Sequence, residues 1–346
     1  MGGNMKESSY AGQKVRIAVD AMGGDCAPAE TVKGAVQAAR ELGVEVVLVG
    51  PLPAIESEFR KHDTTGLSIR LVDAAEVILD EEHPVIAVMR KPNSSVSIAT
   101  KLVQSGEADA MVSAGSTGAC MVCAMQYLGT LPGMDRPVAG GPFLQLSPET
   151  SVFDMGVNVY CQPEQLVNFA VAGCVFTRAF LGIENPTVAL LNVGSEEGKG
   201  NQLAKEAYPL LQKSGLNFIG NVEGMDIPKG KANVIVCDGF VGNILLKFCE
   251  GLGETVREWL LNELKESVSQ DKLEEVTTRL WRLMSPGALL GGAPLWGVDG
   301  LVMVCHGSSR APQIAYTIKE AKACVETDFI NLLRTELERA QALISA

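Results

Sequence analysis

Polar residues follow short apolar runs at several points along the chain, in loops that are rich in glycine. Backbone N–H groups in such loops bind phosphate-like anions, and a lysine beside them adds positive charge. Aspartate and histidine in the same loops are able to transfer protons. These residue types predict an enzyme site that holds a phosphate while a proton moves. The candidate side chains are Asp20, Asp25, Ser116, Thr117, Lys199, Asn201, Asp238, Asn243, His306 and Ser308.

Three of these candidates also have an ordinary structural explanation. Lys199 lies close to Glu196 and Glu197, which indicates a solvated charge cluster, yet the glycines on either side of it favour a phosphate contact. Asp238 precedes a glycine and is either the N-cap of a helix or a catalytic carboxylate. His306 directly follows an apolar run and is either a structural or a catalytic histidine. The residues alone leave these alternatives open.

Familiar nucleotide and metal motifs are missing from the sequence. The segment 194–200 is shorter than a P-loop and lacks its final serine or threonine. No GxGxxG follows the first apolar run, and neither HExxH nor GxSxG occurs. Cys120 and Cys123 form a CxxC pair within an apolar helical stretch, which indicates a core position rather than a metal ligand. We therefore predict neither a metal nor a cofactor.

The polar loops must be positioned by the apolar runs that precede them. These runs are short and rich in valine and isoleucine, as strands covered on both faces are. Helical patterns lie between them, for example at 31–42 and 163–181. The alternation predicts an α/β, Rossmann-like fold with a mostly parallel sheet and helices on both faces, whose ligand site lies at the carboxyl ends of the strands. The runs are 15–20, 44–49, 108–114, 187–193, 233–237 and 301–305.

The composition excludes several classes of protein. The chain has 346 residues, of which 47% are hydrophobic and 20% charged, as in a globular protein with a large core. The net charge is −12, whereas a nucleic-acid binder normally has a basic face, so the composition does not indicate nucleic-acid binding. Most of the nine cysteines lie in apolar runs, which indicates free thiols in a reducing, intracellular compartment. No apolar run approaches the roughly 20 residues of a membrane span.

The domain organisation has four predicted parts. Residues 1–14 lack the apolar core of a signal peptide and predict a flexible tail. One α/β catalytic domain is expected over 15–335. Within it, an irregular subdomain at about 131–162 is expected to contain an antiparallel element, with neighbouring strands at 142–146 and 151–155. A helical tip at about 252–290 is either a dimer interface or an amphipathic membrane surface. The residues predicted to face the membrane are Trp259, Leu260, Leu280, Trp281 and Leu283.

Several segments are specific enough to suggest a family. They are IAVDAMGGD at 17–25, SAGSTGA at 113–119, GKGN at 198–201, FIGNVEG at 218–224, DGFVGN at 238–243, LWGVDG at 295–300 and HGSS at 306–309. In this order, and over about 15–330, the chain resembles the bacterial phosphate acyltransferase family known as PlsX. The resemblance implies transfer of a long-chain acyl group from acyl-[acyl-carrier protein] to inorganic phosphate, giving acyl phosphate for phospholipid synthesis.

The resemblance also implies a fold and a set of partners. The family is similar in fold to phosphate acetyltransferases and to isocitrate and isopropylmalate dehydrogenases. Its members are cytoplasmic homodimers that associate peripherally with the membrane. The implied partners are acyl-carrier protein, inorganic phosphate, a second copy of the chain, the membrane surface and the downstream acyl-phosphate:glycerol-3-phosphate acyltransferase, without nucleic acid.

The chemistry suggests a role for each loop. Phosphate is a fair nucleophile, so its direct attack on a thioester needs no protein nucleophile. We expect Lys199 and the N–H groups of 115–118 to bind phosphate, and Asn243 with the N–H groups of 239–242 to stabilise the thioester oxyanion. Asp238 or His306 is expected to manage the thiol proton. The predicted phosphate and substrate contacts are Asp20, Gly23, Gly24, Asp25, Gly115, Ser116, Thr117, Gly118, Asn201, Gly239, Gly242 and Ser308.

Some features depart from the family pattern or admit other functions. Ser116 replaces the usual asparagine and lacks its amide donors, and Val157 stands where alanine is common.

An acyl-enzyme through Cys237 or Cys305 is a less favoured route. A phosphate acyltransferase acting on coenzyme A esters, a membrane scaffold that binds carrier protein, and a dehydrogenase of the related fold are the alternatives. The phosphate-ready loops argue against the scaffold, and the missing aspartate cluster argues against the dehydrogenase.

Overall fold

A computed structural model describes residues 14–284 and 291–346. The chain divides into two compact units. The first comprises Met1–Leu131 and Leu290–Leu332, and the second comprises Pro132–Leu289 and Leu333–Ala346. The predicted tail at 1–14 lies outside the described residues except for Lys14. The extent of the catalytic domain, 15–335, stays a prediction.

A mostly parallel sheet forms the centre of the first unit. Its strands are β1 (Arg16–Asp20), β2 (Glu45–Gly50), β3 (Ile69–Asp73), β4 (Ala110–Ser113), β10 (Gly292–Trp296) and β11 (Val302–Cys305). They lie in the order β3-β2-β1-β4-β11-β10. All neighbours are parallel except β10 and β11, which pair antiparallel. The predicted strands at 15–20, 44–49, 108–114 and 301–305 are therefore confirmed, with small shifts at their ends.

Helices flank this sheet, as the alternation predicts. They are α1 (Ala29–Leu42), α2 (Leu52–Phe59), α3 (Pro84–Arg90), α4 (Ser95–Gln104), α5 (Thr117–Cys123) and α10 (Ala311–Glu326). Helix α1 packs closely on α10, because a Cβ at Gly34 would lie only 2.8 Å from the carbonyl oxygen of Ala311. Cys120 and Cys123 of α5 are buried in the core against α4, as their apolar surroundings predict.

The second unit has its own sheet and helices. Its strands are β5 (Val138–Pro142), β6 (Ser151–Phe153), β7 (Thr187–Leu191), β8 (Asn217–Val222) and β9 (Val234–Val236), in the order β5-β6-β9-β7-β8. The pair β5 and β6 is antiparallel and the other neighbours are parallel. The helices are α6 (Pro163–Leu181), α7 (Gln202–Lys213), α8 (Gly239–Leu264), α9 (Gln270–Met284) and α11 (Phe329–Ser345), which begins in the first unit.

One sequence-based boundary in this unit is wrong. The strand predicted at 142–146 lies at β5, four residues earlier, because the chain after Pro142 forms turns in which Ser147 N–H donates to Leu144 C=O and Thr150 N–H to Ser147 C=O. Its antiparallel pairing with β6 is confirmed. Helix α8 begins at Gly239, directly after the predicted cap Asp238, so it starts before the tip predicted at about 252–290.

The region predicted as a helical tip contains the helix pair α8 and α9, which pack against each other. Residues 285–290 of that region lie outside the described residues. Among the five side chains predicted to face a membrane, Trp259 is exposed, whereas Leu260, Leu280, Trp281 and Leu283 are half-buried. Within the described ranges, no helix has an apolar stretch long enough to cross a bilayer.

Candidate active site

Three predicted loops meet in the first unit, at the carboxyl ends of β1, β4 and β11. We call the loops 20–25, 113–118 and 306–309 together the Asp20 edge. The amide of Asp25 donates to Gly307 C=O at 2.9 Å. A Cβ at Gly23 would lie 2.5 Å from the amide nitrogen of Gly115, and one at Gly24 3.0 Å from Gly307 C=O. These glycines therefore permit a close approach between loops that are distant in sequence.

Asp20 fixes this edge from within. Its side chain is buried, and Ser113 Oγ donates to its Oδ2 at 2.7 Å while the Met22 amide donates to Oδ1 at 3.1 Å. Ser113 Oγ in turn accepts from the Gly115 amide at 3.1 Å. Burial raises the pKa of Asp20, and hydrogen bonds from Ser95 and Ser113 oppose that rise. Asp20 thus holds the loop that contains Gly115, and a direct substrate contact by Asp20 stays a prediction.

Ser116 is the N-cap of α5, because its Oγ accepts from the Ala119 amide at 3.5 Å. The N–H groups of Ser116, Thr117 and Gly118 donate to no acceptor in the described part of the chain. The cavity beside them holds only about 10 Å³, which is room for roughly one water. An anion at this loop would therefore bind at the surface of the unit, and its binding there stays a prediction.

His306 is exposed at the same edge. Its Nδ1 lies 2.8 Å from Ser308 Oγ and accepts the Ser308 amide proton at 3.2 Å. An acceptor role for Nδ1 assigns the hydrogen of the neutral imidazole to Nε2. Ser308 thereby orients the ring of His306, and the predicted substrate contact of Ser308 stays a prediction. The proton-transfer role of His306 stays a prediction.

The second unit brings together the other predicted residues, at the carboxyl ends of β7 and β9. We call the loop 192–201, Asp238 and the first turn of α8 the Asp238 edge. Asn201 is the N-cap of α7 and accepts from the Ala204 amide at 2.9 Å. Asp238 is the N-cap of α8 and its Oδ1 accepts from the Val241 amide at 2.8 Å. The capping role of Asp238, one of the two readings of its position, is confirmed.

The loop that contains Lys199 is held by two asparagines. Asn192 Nδ2 donates to Lys199 C=O at 3.0 Å, and Asn221 Nδ2 donates to Glu196 C=O at 2.8 Å. The Lys199 side chain is exposed, and within the described residues it makes no ion pair with Glu196 or Glu197. Glu196, Glu197 and Lys199 are all exposed, as a solvated charge cluster requires, and a phosphate contact by Lys199 stays a prediction. The nearby N–H groups of Gln202 and Leu203 are free in the described structure, as expected in the first turn of a helix.

The first turn of α8 is clamped by the turn 154–158, whose end residues Asp154 and Asn158 are buried. The Asp154 carboxylate accepts from the amides of Gly156 (3.0 Å), Val157 (3.0 Å) and Asn158 (2.7 Å), and from Asn158 Nδ2 (2.7 Å). The Gly239 amide donates to Asn158 C=O at 2.7 Å. Burial raises the pKa of Asp154, and these N–H donors act in the opposite direction.

The clamp determines which N–H groups of 239–242 are available. Gly239 donates to Asn158, Val241 to the Asp238 side chain, and Gly242 to Asp238 C=O at 3.0 Å. Within the described ranges, only the Phe240 amide in this turn has no acceptor. A Cβ at Gly242 would lie 1.8 Å from Asp154 C=O, so this position requires glycine for close packing. The sequence could not show this clamp, because it joins segments far apart in the chain.

A largely apolar pocket of about 290 Å³ opens at the Asp238 edge. Leu166 and Leu190 form buried parts of its wall, and Leu203 and Leu245 contribute from α7 and α8. Its polar lining consists of Asn192, Asn201 and Asp238. The two helix N-termini and the pocket therefore share side chains.

Known proteins match this sequence over most of its length. A family model described as "Fatty acid synthesis protein" matches residues 15–332. The chain is 45% identical over 339 residues to the phosphate acyltransferase of Desulfitobacterium hafniense (strain Y51), covering 95% of this chain and 99% of that protein. It is 43% identical over 327 residues to the phosphate acyltransferase of Desulforamulus reducens, covering 94% and 98%.

Solved structures show the same fold at low identity. A phosphotransacetylase from Staphylococcus aureus superposes with a TM-score of 0.58 at 20% identity, covering 90% of this chain and 95% of that one. A 4-hydroxythreonine-4-phosphate dehydrogenase from Klebsiella pneumoniae has a TM-score of 0.53 at 12% identity, covering 90% and 100%. The predicted α/β fold, with phosphotransacetylase and dehydrogenase-like neighbours, is therefore confirmed.

Proposed function

Because the chain belongs to the phosphate acyltransferase (PlsX) family, we propose that it transfers a long-chain acyl group from acyl-[acyl-carrier protein] to inorganic phosphate. The acyl phosphate released then serves phospholipid synthesis. The observation that carries the proposal is the Asp238 edge, where a lysine and a free helix N-terminus adjoin an apolar pocket. An anion and an apolar chain are the two parts that such a reaction must bring together.

Phosphate binds at the start of α7. Lys199 offers an exposed ammonium group, and the amides of Gln202 and Leu203, free within the described structure, point along the helix dipole. Asn192 and Asn221 hold the loop in place, so little ordering is needed on binding. The amides of 116–118 at the Asp20 edge are a second predicted phosphate contact.

The reaction is a direct displacement at the thioester. A phosphate oxygen attacks the carbonyl carbon, a C–O bond forms, and the C–S bond breaks. The proton lost by hydrogen phosphate passes to the departing thiolate, so the atoms and charges balance. Asp238 is placed for this transfer, because only its Oδ1 is used in capping α8 and Oδ2 is free within the described structure. His306 keeps the same role as an alternative prediction.

The oxyanion that develops on the thioester is stabilised by the Phe240 amide and the Asn243 side chain. The amides of Gly239, Val241 and Gly242 already donate hydrogen bonds within the protein, so Phe240 is the one amide of 239–242 that the described structure leaves free for the oxyanion. Asn243 is exposed, and its side chain contacts the clamp at Gly156, where an added Cβ would lie 3.2 Å from Asn243 Oδ1. Removing one such donor costs about 3–4 kcal/mol in the reaction barrier.

An acyl-cysteine intermediate has little support. Cys237 and Cys305 are buried. Burial raises the pKa of the Cys237 thiol well above its usual value, and that of Cys305 to about 12. Near neutral pH both thiols therefore stay protonated, whereas the thiolate is the nucleophilic form.

The proposed assembly includes a homodimer and a peripheral membrane contact, together with docking of carrier protein and of the downstream acyl-phosphate:glycerol-3-phosphate acyltransferase. Helix α8 supports an apolar contact, because it exposes large side chains at a spacing of about one turn. The exposed residues are Phe240, Ile244, Phe248, Leu252 and Trp259. The exposed side chain of Trp259 supports the prediction that this residue contacts the membrane.

The proposal is tested with purified protein, palmitoyl-carrier protein and radiolabelled phosphate, with hydroxylamine trapping of acyl phosphate. We expect product that depends on phosphate and on the protein. A parallel reaction with palmitoyl-coenzyme A measures the preference between the two thioesters. Equal or greater turnover with coenzyme A would replace carrier protein as the donor, and absence of product with either thioester would overturn the proposal.

A further inference from the structure

The apolar pocket at the Asp238 edge is continuous with the proposed reaction site. Asn201 and Asp238, which cap α7 and α8, also line the pocket. Beyond them the wall is apolar, with Leu166, Leu190 and Leu245 among its side chains. Leu166 and Leu190 are each only 1% exposed, so they form a closed floor rather than part of the outer surface.

We infer that this pocket binds the alkyl chain of the acyl substrate and that Leu245 on α8 limits the chain length it accepts. The inference rests on the proposed acyl transfer to phosphate. The thioester carbonyl would lie at the polar mouth, near Asp238 and the Phe240 amide, and the alkyl chain would point toward Leu166 and Leu190.

The lining favours an alkyl chain over a nucleotide or another charged group. No lysine or arginine lines the pocket, so its wall has no positive charge to balance a charged group buried inside it. The volume of about 290 Å³ is at the lower end of the roughly 300–1,000 Å³ that small-molecule pockets span. Such a space suits a narrow flexible chain better than the bulky nucleotide of a coenzyme.

The length of the chain is expected to matter strongly. Each methylene transferred from water into an apolar wall changes affinity about four-fold. A side chain that fills the space of two or three methylenes therefore lowers the preference for long chains about 16- to 60-fold. Leu245 is suited to this change, because it is half-buried and extends from α8 into the pocket wall.

The test compares turnover of palmitoyl- and octanoyl-carrier protein by the full chain and by Leu245→Trp. We expect the palmitoyl-to-octanoyl ratio of kcat/KM to fall at least ten-fold in the variant. Leu246→Trp is the matched control, since Leu246 is the next residue of α8, is equally half-buried and packs on the same core, yet does not line the pocket. Its ratio should stay at the wild-type value.

A second variant covers the case in which tryptophan prevents folding. Leu245→Ala enlarges the pocket and should raise the relative turnover of stearoyl over palmitoyl thioester, with melting temperature and circular dichroism checked for each protein. Wild-type-like ratios in both Leu245 variants, with acyl phosphate still formed, would overturn the pocket assignment and leave the proposed function intact. Absence of acyl phosphate from the wild type would instead overturn the proposed function.

Discussion

Replacing Asp238 by asparagine separates its structural role from its chemical one. Its Oδ1 caps α8 through the Val241 amide at 2.8 Å, and an asparagine oxygen serves this purpose about as well. The proposed transfer of a proton from phosphate to the thiolate, however, requires an ionisable carboxylate. We expect Asp238→Asn to fold normally and to lose about 100- to 10,000-fold in kcat, the usual contribution of a proton-transfer group.

The stability effect provides the internal control. Asp238→Ala removes the cap and costs about 1 kcal/mol. The entropy of unfolding, roughly 2.1 cal/mol/K per residue, amounts to about 0.7 kcal/mol/K for 346 residues, so the melting temperature should fall by about 1–2 °C. Asp238→Asn should melt within a few tenths of a degree of the wild type.

The assay is steady-state formation of acyl hydroxamate at saturating palmitoyl-carrier protein, run with differential scanning calorimetry on the same preparations. Full activity in Asp238→Asn together with a lowered melting temperature in Asp238→Ala would show that Asp238 is only a cap. The reasoning on proton transfer would then be wrong, and His306 would become the residue to replace.

Three further predictions concern charge and burial. Lys199→Gln should raise the KM for phosphate about 10- to 100-fold, because a charge-assisted contact is lost. The control is Lys205→Gln at an exposed lysine of α7, which should leave this KM unchanged. Equal KM values for the two variants would refute a phosphate role for Lys199. Asp154→Ala leaves four N–H groups without their acceptor, so it should lower the free energy of unfolding by about 3 kcal/mol and the melting temperature by about 4 °C. Asp135→Ala, at an exposed aspartate, is the control and should not change the melting temperature measurably. Burial raises the pKa of Glu320 from 4.5 to about 8, so its contribution to stability is complete at low pH and is lost as pH rises between these values. The melting-temperature advantage of Glu320→Gln should therefore grow between about pH 5 and about pH 8, and a constant difference would contradict this.

Much of the fold is readable from the sequence because local patterns determine it. Helix α6 has the bounds 163–181 that its apolar pattern predicts, β1 begins one residue after its predicted run, and β2 is shifted by one residue from its predicted run. In these cases a valine-rich run indicates a strand, and a glycine after an apolar helical pattern indicates where the helix ends. The apolar pattern does not show the start of α8, since its first turn contains two glycines, and only the capping residue Asp238 indicates it.

The supporting residues of the candidate site could not be predicted in the same way. Asn221 holds the Lys199 loop, and Asn158 binds the first turn of α8, through hydrogen bonds between segments tens of residues apart, while Asn192 binds Lys199 seven residues away. Asparagine and aspartate near strand ends are common in turns, so their type alone indicates no partner. By contrast, Asp238 and Asn201 precede helical segments, and a cap is a local feature that the sequence does show.

The two caps differ in charge, and the proposed chemistry gives a reason. Capping alone would accept aspartate or asparagine at either helix, since their capping strengths are similar. Next to a bound phosphate dianion, however, a carboxylate at the start of α7 would be repelled, and the neutral Asn201 avoids this. Two negative charges against one at about 5 Å in water amount to roughly 1.5 kcal/mol, about ten-fold in affinity. Asn201→Asp should therefore melt like the wild type yet raise the KM for phosphate about ten-fold, most strongly at low ionic strength. An unchanged KM at low salt would mean that phosphate binds away from α7, and the free amides of the Asp20 edge would then be the site to test.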